Sequence, residues 1–116
     1  VAIQFRKYLV DLQFGNYANN DNNAIQFVGA EEGEHFMEAI ATATVNGDMD
    51  WKGTNIYGFK SWGEGPDVVE CLTREGIIDP SLKTSEPAGF GKINYHEMTD
   101  KGIQMREDFF KEMEEN

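Results

Sequence analysis

Tyr8, Val10, Leu12 and Phe14 alternate with Lys7, Leu9, Asp11 and Gln13. That two-residue period lets a strand bury one face and wet the other, and it excludes a helix for the stretch. The run is read as one strand over 4–14. The next nine residues, Gly15 to Asn23 (GNYANNDNN), are turn formers whose short amide and carboxylate side chains bond their own backbone. Ala24 to Val28 is a second strand, Gly29 to Gly33 a tight turn, and His35 to Asn46 a third strand. The three read as an antiparallel meander.

Ala39, Ala41 and Ala43 share one face of the third strand with Met37 and Val45. Small residues admit a close neighbour, and a helix is the expected cover. Thr54 to Lys60 reads as a fourth strand. Pro66 opens a helix where its missing N–H costs nothing. Val68, Val69 and Leu72 make the buried stripe of that helix, and Gly76 ends it in a left-handed turn with Ile77 packing back. Asp79 to Pro87 reads as a loop and Phe90 to Tyr95 as a last strand. Thr99 or Asp100 caps a C-terminal helix running to about Glu114, with Ile103, Met105, Phe109, Phe110 and Met113 on its apolar face. The expected fold is α+β: an antiparallel sheet of four to five strands, the 66–75 helix on one face beside the alanines, and a C-terminal helix. At 116 residues, one domain over 1–116 is expected.

Charge is distributed unevenly. From Asp11 to Trp51 there are eight acidic side chains and no Lys or Arg, out of a net −11 for the chain. A field of that sign repels nucleic acid and lipid headgroups and attracts basic proteins. Cys71 is the only cysteine, so no intrachain disulfide or zinc–thiolate cluster forms, and a reducing, cytoplasmic setting is expected. No apolar run approaches a membrane span. The first residue is Val1 and not Met, which leaves a removed leader open.

No motif assigns catalytic, cofactor or metal-binding residues. Asp48-x-Asp50-x-Lys52-Gly53 begins like a calcium loop but puts Lys52 at a ligand position and Phe59 where a bidentate Glu is required. Asn19-x-Asp21-x-Asn23 lacks the following Gly. Gly63-x-Gly65 lacks the third Gly of a dinucleotide fingerprint, and Gly89-x-Gly91-Lys92 reads as a turn. Cys71 lies inside a helix, where a thiol behaves as a small hydrophobe. His35 and His96 read as surface or edge residues at strand ends.

Trp51, Tyr57, Phe59 and Trp62 crowd into twelve residues. Tyr57 and Phe59 read as core on one strand face. Trp51 and Trp62 flank loops, where an exposed indole marks an interface. The candidate partner-binding residues are therefore Asp21, Glu31, Glu32, Glu34, Asp48, Asp50, Trp51 and Trp62.

Tyr17-Ala18-Asn19-Asn20, Ala24-Ile25-Gln26, Ala43-Thr44-Val45-Asn46, Gly76-Ile77-Ile78 and Gly89-Phe90 together resemble a family of uncharacterised small proteins, a domain of unknown function of conjugative plasmids, integrative elements and phages. The resemblance covers roughly Tyr8 to Tyr95. It implies a mobile-element setting and an accessory or counter-defence role, with no activity attached. The leading expectation is a non-enzymatic protein that binds a basic protein partner and neither nucleic acid nor membrane, with a homodimer through the C-terminal helix as a further possibility. Two alternatives stand beside it: a DNA-mimic inhibitor of a host nuclease, restriction or CRISPR effector, and a small enzyme built on carboxylates and His.

Overall fold

The computed structural model describes residues 2–31, 35–89 and 91–115. Glu32 and Gly33 of the expected turn, the candidate Glu34, and the expected strand start at Phe90 lie outside them. The fold is α+β: a four-stranded antiparallel sheet, a three-stranded antiparallel sheet and two helices.

The first sheet is the expected meander, with one more strand. β1 (Ile3–Phe5), β2 (Tyr8–Asn16), β3 (Asn23–Gly29) and β4 (Ala39–Thr42) lie side by side in chain order. The run over 4–14 is not one strand, because the chain reverses at Arg6-Lys7 and pairs Phe5 with Tyr8. Arg6 takes φ 52, a left-handed conformation that Gly, Asn or Asp adopts more cheaply. The turn therefore has no signal in its residue types. Arg6 is held from outside: its Nε donates to Asp67 Oδ2 at 2.9 Å.

β4 is shorter than the strand read over 35–46. Ala43 still bonds Ile25, but by Val45 the chain has crossed to the second sheet, where its N–H donates to the Gly58 carbonyl. Glycine is required at 58, since a Cβ there would stand 2.9 Å from the Val45 carbonyl oxygen. That second sheet has the order β5 (Ile56–Lys60), β7 (Gly91–Glu97), β6 (Thr84–Ala88). β6 occupies the expected 79–87 loop. It is a polar edge strand carrying Pro87, and an edge is where proline is tolerated in a sheet.

Helix α1 (Gly65–Arg74) starts and stops as expected. Gly76 has φ +72, and Ile77, fully buried, donates its N–H to the Leu72 carbonyl. Its position differs from the expectation: α1 packs chiefly against β5 and β1, not on the alanines. Of those, Ala43 is buried, Ala41 half-buried and Ala39 exposed. Ala43 joins the main core as the chain begins to cross to the second sheet, and Ala41 packs against that core.

Helix α2 (Asp100–Glu115) is capped by Thr99, whose Oγ1 accepts the Gly102 N–H at 3.2 Å. Gly102 sits so close to Ile77 that a Cβ would stand 2.5 Å from its carbonyl oxygen. Arg106 donates to the Tyr57 hydroxyl at 2.9 Å and to Asn55 Oδ1 at 2.5 Å. Ile103, Met105 and Phe109 pack on the main core, with Phe109 edge-on to Phe14 at 5.8 Å. Phe110 and Met113 stay exposed, so the wide apolar face is only half docked. The main core joins β1–β3, β5 and both helices around Val10, Phe27, Phe59, Val68 and Leu72. A smaller cluster of Ile56, Ile93 and Tyr95 lies on the other face of the second sheet, covered by Val45, Met49, Trp51 and Ala88.

Candidate functional site

Among the described residues, the exposed acids of the 11–51 run fall into two groups at opposite ends of the first sheet. Asp21 sits in the β2–β3 turn. Asp48 and Asp50 are beside it, because Asn22 Nδ2 donates to the Met49 carbonyl and Asn22 Oδ1 accepts the Trp51 N–H, both at 2.8 Å. Glu31 and Glu38 lie past the far end of β3. The nine residues of β2 span roughly 26 Å at about 3.3 Å each, more than twice a physiological Debye length. The acids therefore act as two local fields, not one sheet-wide one. Glu32 and Glu34 lie outside the described residues.

The asparagines of the turn form a clamp between the sheets. Asn46 Nδ2 donates to Asn19 Oδ1 at 2.9 Å, and Asn46 Oδ1 accepts from Asn20 and Asn22, each at 3.2 Å. Asn23, buried, donates to the carbonyls of Thr54 and Ile56, both at 2.8 Å. These amides satisfy each other and the loop backbone. Asp50 is likewise engaged locally, its Oδ1 accepting the Lys52 N–H at 3.1 Å. Among the described residues, no three His, Cys, Asp or Glu side chains are placed to share a metal ion.

Neither tryptophan is the exposed anchor expected. Trp51 is half-buried, its ring tilted against Tyr95 at 5.1 Å. Trp62 is half-buried over Gly91, where a Cβ would stand 2.6 Å from its ring. Both indoles cover the second sheet. Below Trp51, Glu86 accepts the Tyr95 hydroxyl and the N–H groups of Asp48 and Met49. Burial pushes the Glu86 pKa up, but the three donors outweigh it and the net shift is downward. Burial, and then the Glu86 carboxylate, push the Tyr95 phenol well above its usual value.

The sulfur and imidazole groups do not assemble. Cys71 is buried, its thiol donates to the Gln4 carbonyl at 3.3 Å, and burial raises its pKa. His96 is not at a surface or edge as its position before Glu97 suggested. It lies on β7, the central strand, and is buried against Phe59 with Nδ1 3.1 Å from the Asp79 carbonyl. His35 is exposed and paired with Glu38 at 3.2 Å.

A groove of about 720 Å³ lies between β2 and α2. Its walls are the Asp11–Phe14 stretch on one side and Met105 to Glu112 on the other, with Ile3 at the end. Apolar side chains line the floor. Asp11, Glu75, Asp108 and Glu112 ring it against a single cation, Lys101. None of these acids was a candidate from sequence. Their positions in the chain are far apart, and only Asp11 belongs to the base-free run that drew attention.

No family model matches the chain, and neither a curated protein nor a solved structure matches it.

Proposed function

We propose that the protein is a non-enzymatic binding module that recognises a basic protein partner, in the mobile-element setting its sequence resemblance implies. The observation that carries this reading is the placement of the acids. Asp21, Asp48 and Asp50 stand exposed together at one end of the first sheet, and four more carboxylates ring the groove. Opposite charge at such places raises the rate of encounter and aligns the partner before contact. The separation of the two fields favours discrete contacts with a protein over imitation of a continuous duplex, which carries a charge about every 1.7 Å of axis.

The test is affinity capture from the native host, followed by association kinetics of the captured protein. The variant combines Asp21→Asn, Asp48→Lys and Asp50→Asn. Asn is used at Asp21 because φ 59 there suits Asn, and at Asp50 because the turn bond to Lys52 survives. The on-rate of the variant is expected to fall several-fold at low salt, and the loss to vanish as the Debye length shortens. Equal on-rates at low salt would assign the acidity of this end to solubility alone.

A further inference from the structure

Two demands of packing meet where the chain crosses between the sheets. Position 46 takes an asparagine that stands at the centre of the clamp: its Nδ2 donates to Asn19, and its Oδ1 accepts from Asn20 and Asn22. Position 47 requires glycine, because a Cβ there would collide with Glu86 Oε1 and the Tyr95 hydroxyl. The two demands together create an Asn–Gly step. It is the only one in the sequence, since the other internal asparagines precede Tyr, Asn, Asp, Ala or Ile. Such a step is chemically labile: the main-chain nitrogen of the second residue attacks the side-chain amide of the first, and glycine has no Cβ to obstruct the approach. Asn46 and Gly47 are both half-buried, so water reaches them. The Gly47 N–H donates to no acceptor among the described residues.

We propose that Asn46 is a site of spontaneous modification, gated by the clamp, at which attack by Gly47 converts the asparagine to aspartate or isoaspartate and loosens the joint between the sheets. The Gly47 N–H gives its proton to hydroxide, and the nitrogen bonds to Asn46 Cγ, closing a succinimide ring. The Cγ–Nδ2 bond breaks, and the amide nitrogen takes a proton from water and leaves as ammonia. Water then opens the ring at one carbonyl to give aspartate, or at the other to give isoaspartate. Closed, the clamp ties the Asn46 amide at three points, and Asn20 Nδ2 also reaches the Gly47 carbonyl at 3.3 Å. Attack therefore proceeds from molecules in which the clamp has opened locally. The product does not restore it. A carboxylate has no proton to donate to Asn19 Oδ1, and it adds a charge beside Asp21, Asp48 and Asp50. Isoaspartate also lengthens the main chain by one carbon, between the Val45 bond to Gly58 and the bonds of Asp48 and Met49 to Glu86.

The test incubates the whole protein in mildly alkaline buffer made with ¹⁸O-labelled water, beside a sample unfolded in guanidinium. Digestion and mass spectrometry then follow each asparagine. In the folded protein the mass gain of an amide turned to acid, with its ¹⁸O label, is expected first at Asn46, as a mixture of aspartate and isoaspartate, and more slowly than in the unfolded sample. Asn19→Ala removes one bond of the clamp at an exposed position, and Asn20→Ala removes another from the opposite side of the amide. Each should speed conversion of Asn46 about fivefold, the factor that one net hydrogen bond represents. The isoaspartate form, separated by ion exchange, should melt at a lower temperature than the parent. Asn46 left intact in the folded parent and in both variants, when the unfolded sample has converted, overturns the proposal. So does earlier conversion at any other asparagine. Equal rates in the parent and both variants overturn the gating, and an isoaspartate form with the Tm of the parent overturns the loosening of the joint.

Discussion

Asn23 shows how much rests on single side chains in this molecule. It is buried, and both amide protons go to main-chain carbonyls of the 54–56 segment. A Leu in its place would leave two buried acceptors unpaired, and an Ala would add a void. Asn23→Ala is expected to cost about 1–3 kcal/mol, read from the shift of a urea unfolding midpoint. Asn19, exposed in the same clamp, should cost well under half as much, since water replaces its partner. Equal losses would mean that the clamp does not owe its strength to burial. The residue types announced a turn here, but not that its amides would reach thirty residues along the chain. That depends on the crossing between sheets, which has no local signature.

Among the elements, α2 is the one whose contribution can be separated. Its first three turns are tied by Thr99, Arg106 and the Phe109–Phe14 contact, while Phe110 and Met113 are exposed. Truncation after Gly102 removes three half-buried apolar side chains and the partner of the Tyr57 hydroxyl. Burial of each is worth on the order of 1–2 kcal/mol at half exposure. Tm is expected to fall by more than about 10 °C, given the few degrees that each kcal/mol represents in a domain of this size. The same sample tests self-association through the exposed residues: a full-length mass of two copies that drops to one on truncation supports the expected homodimer. An unchanged Tm and mass would make α2 an appendage. The apolar stripe of α2 was legible from its spacing. Which half of the stripe is docked was not, because that depends on β2 ending beside it.

At the scale of the whole molecule, ionisation should set a window of stability. Lys60, 2.5 Å away, holds the Glu64 carboxyl below its usual range, and the Tyr95 hydroxyl and two N–H groups do so for Glu86 against the effect of burial. A carboxyl whose folded pKa is depressed contributes stability above its unfolded pKa and loses it as the pH falls through the folded value. Burial raises the pKa of Tyr17, Tyr57 and Tyr95, which favours their neutral forms in the folded state. That contribution is complete below about pH 10 and is lost above it. Tm should therefore be nearly flat between about pH 5 and 9 and fall on either side. Glu86→Gln should flatten the acid limb relative to the parent. An acid limb unaltered in that variant would show that the Glu86 cluster carries none of the linkage.

The residues alone determined what short-range chemistry dictates. The period of Tyr8 to Phe14, the Asn-rich turn, Pro66 and Gly76 around α1, and Thr99 before α2 each act within a few positions, so each was legible. So were the buried pair Tyr57 and Phe59 and the inert Cys71, since spacing on one element decides them. The tertiary structure decided everything that required two distant segments to meet. It placed a turn at Arg6, where β1 folds back to pair with β2, and made a strand of 84–88 because β7 offered an edge. It buried His96 at the centre of a sheet and set both tryptophans as covers. It also divided one acidic run between two ends of a sheet and assembled a different acidic ring, from Asp11, Glu75, Asp108 and Glu112, around the groove between β2 and α2. Charge along a chain is local information. Charge facing a groove is the product of packing, and packing is decided by contacts that no window of sequence contains.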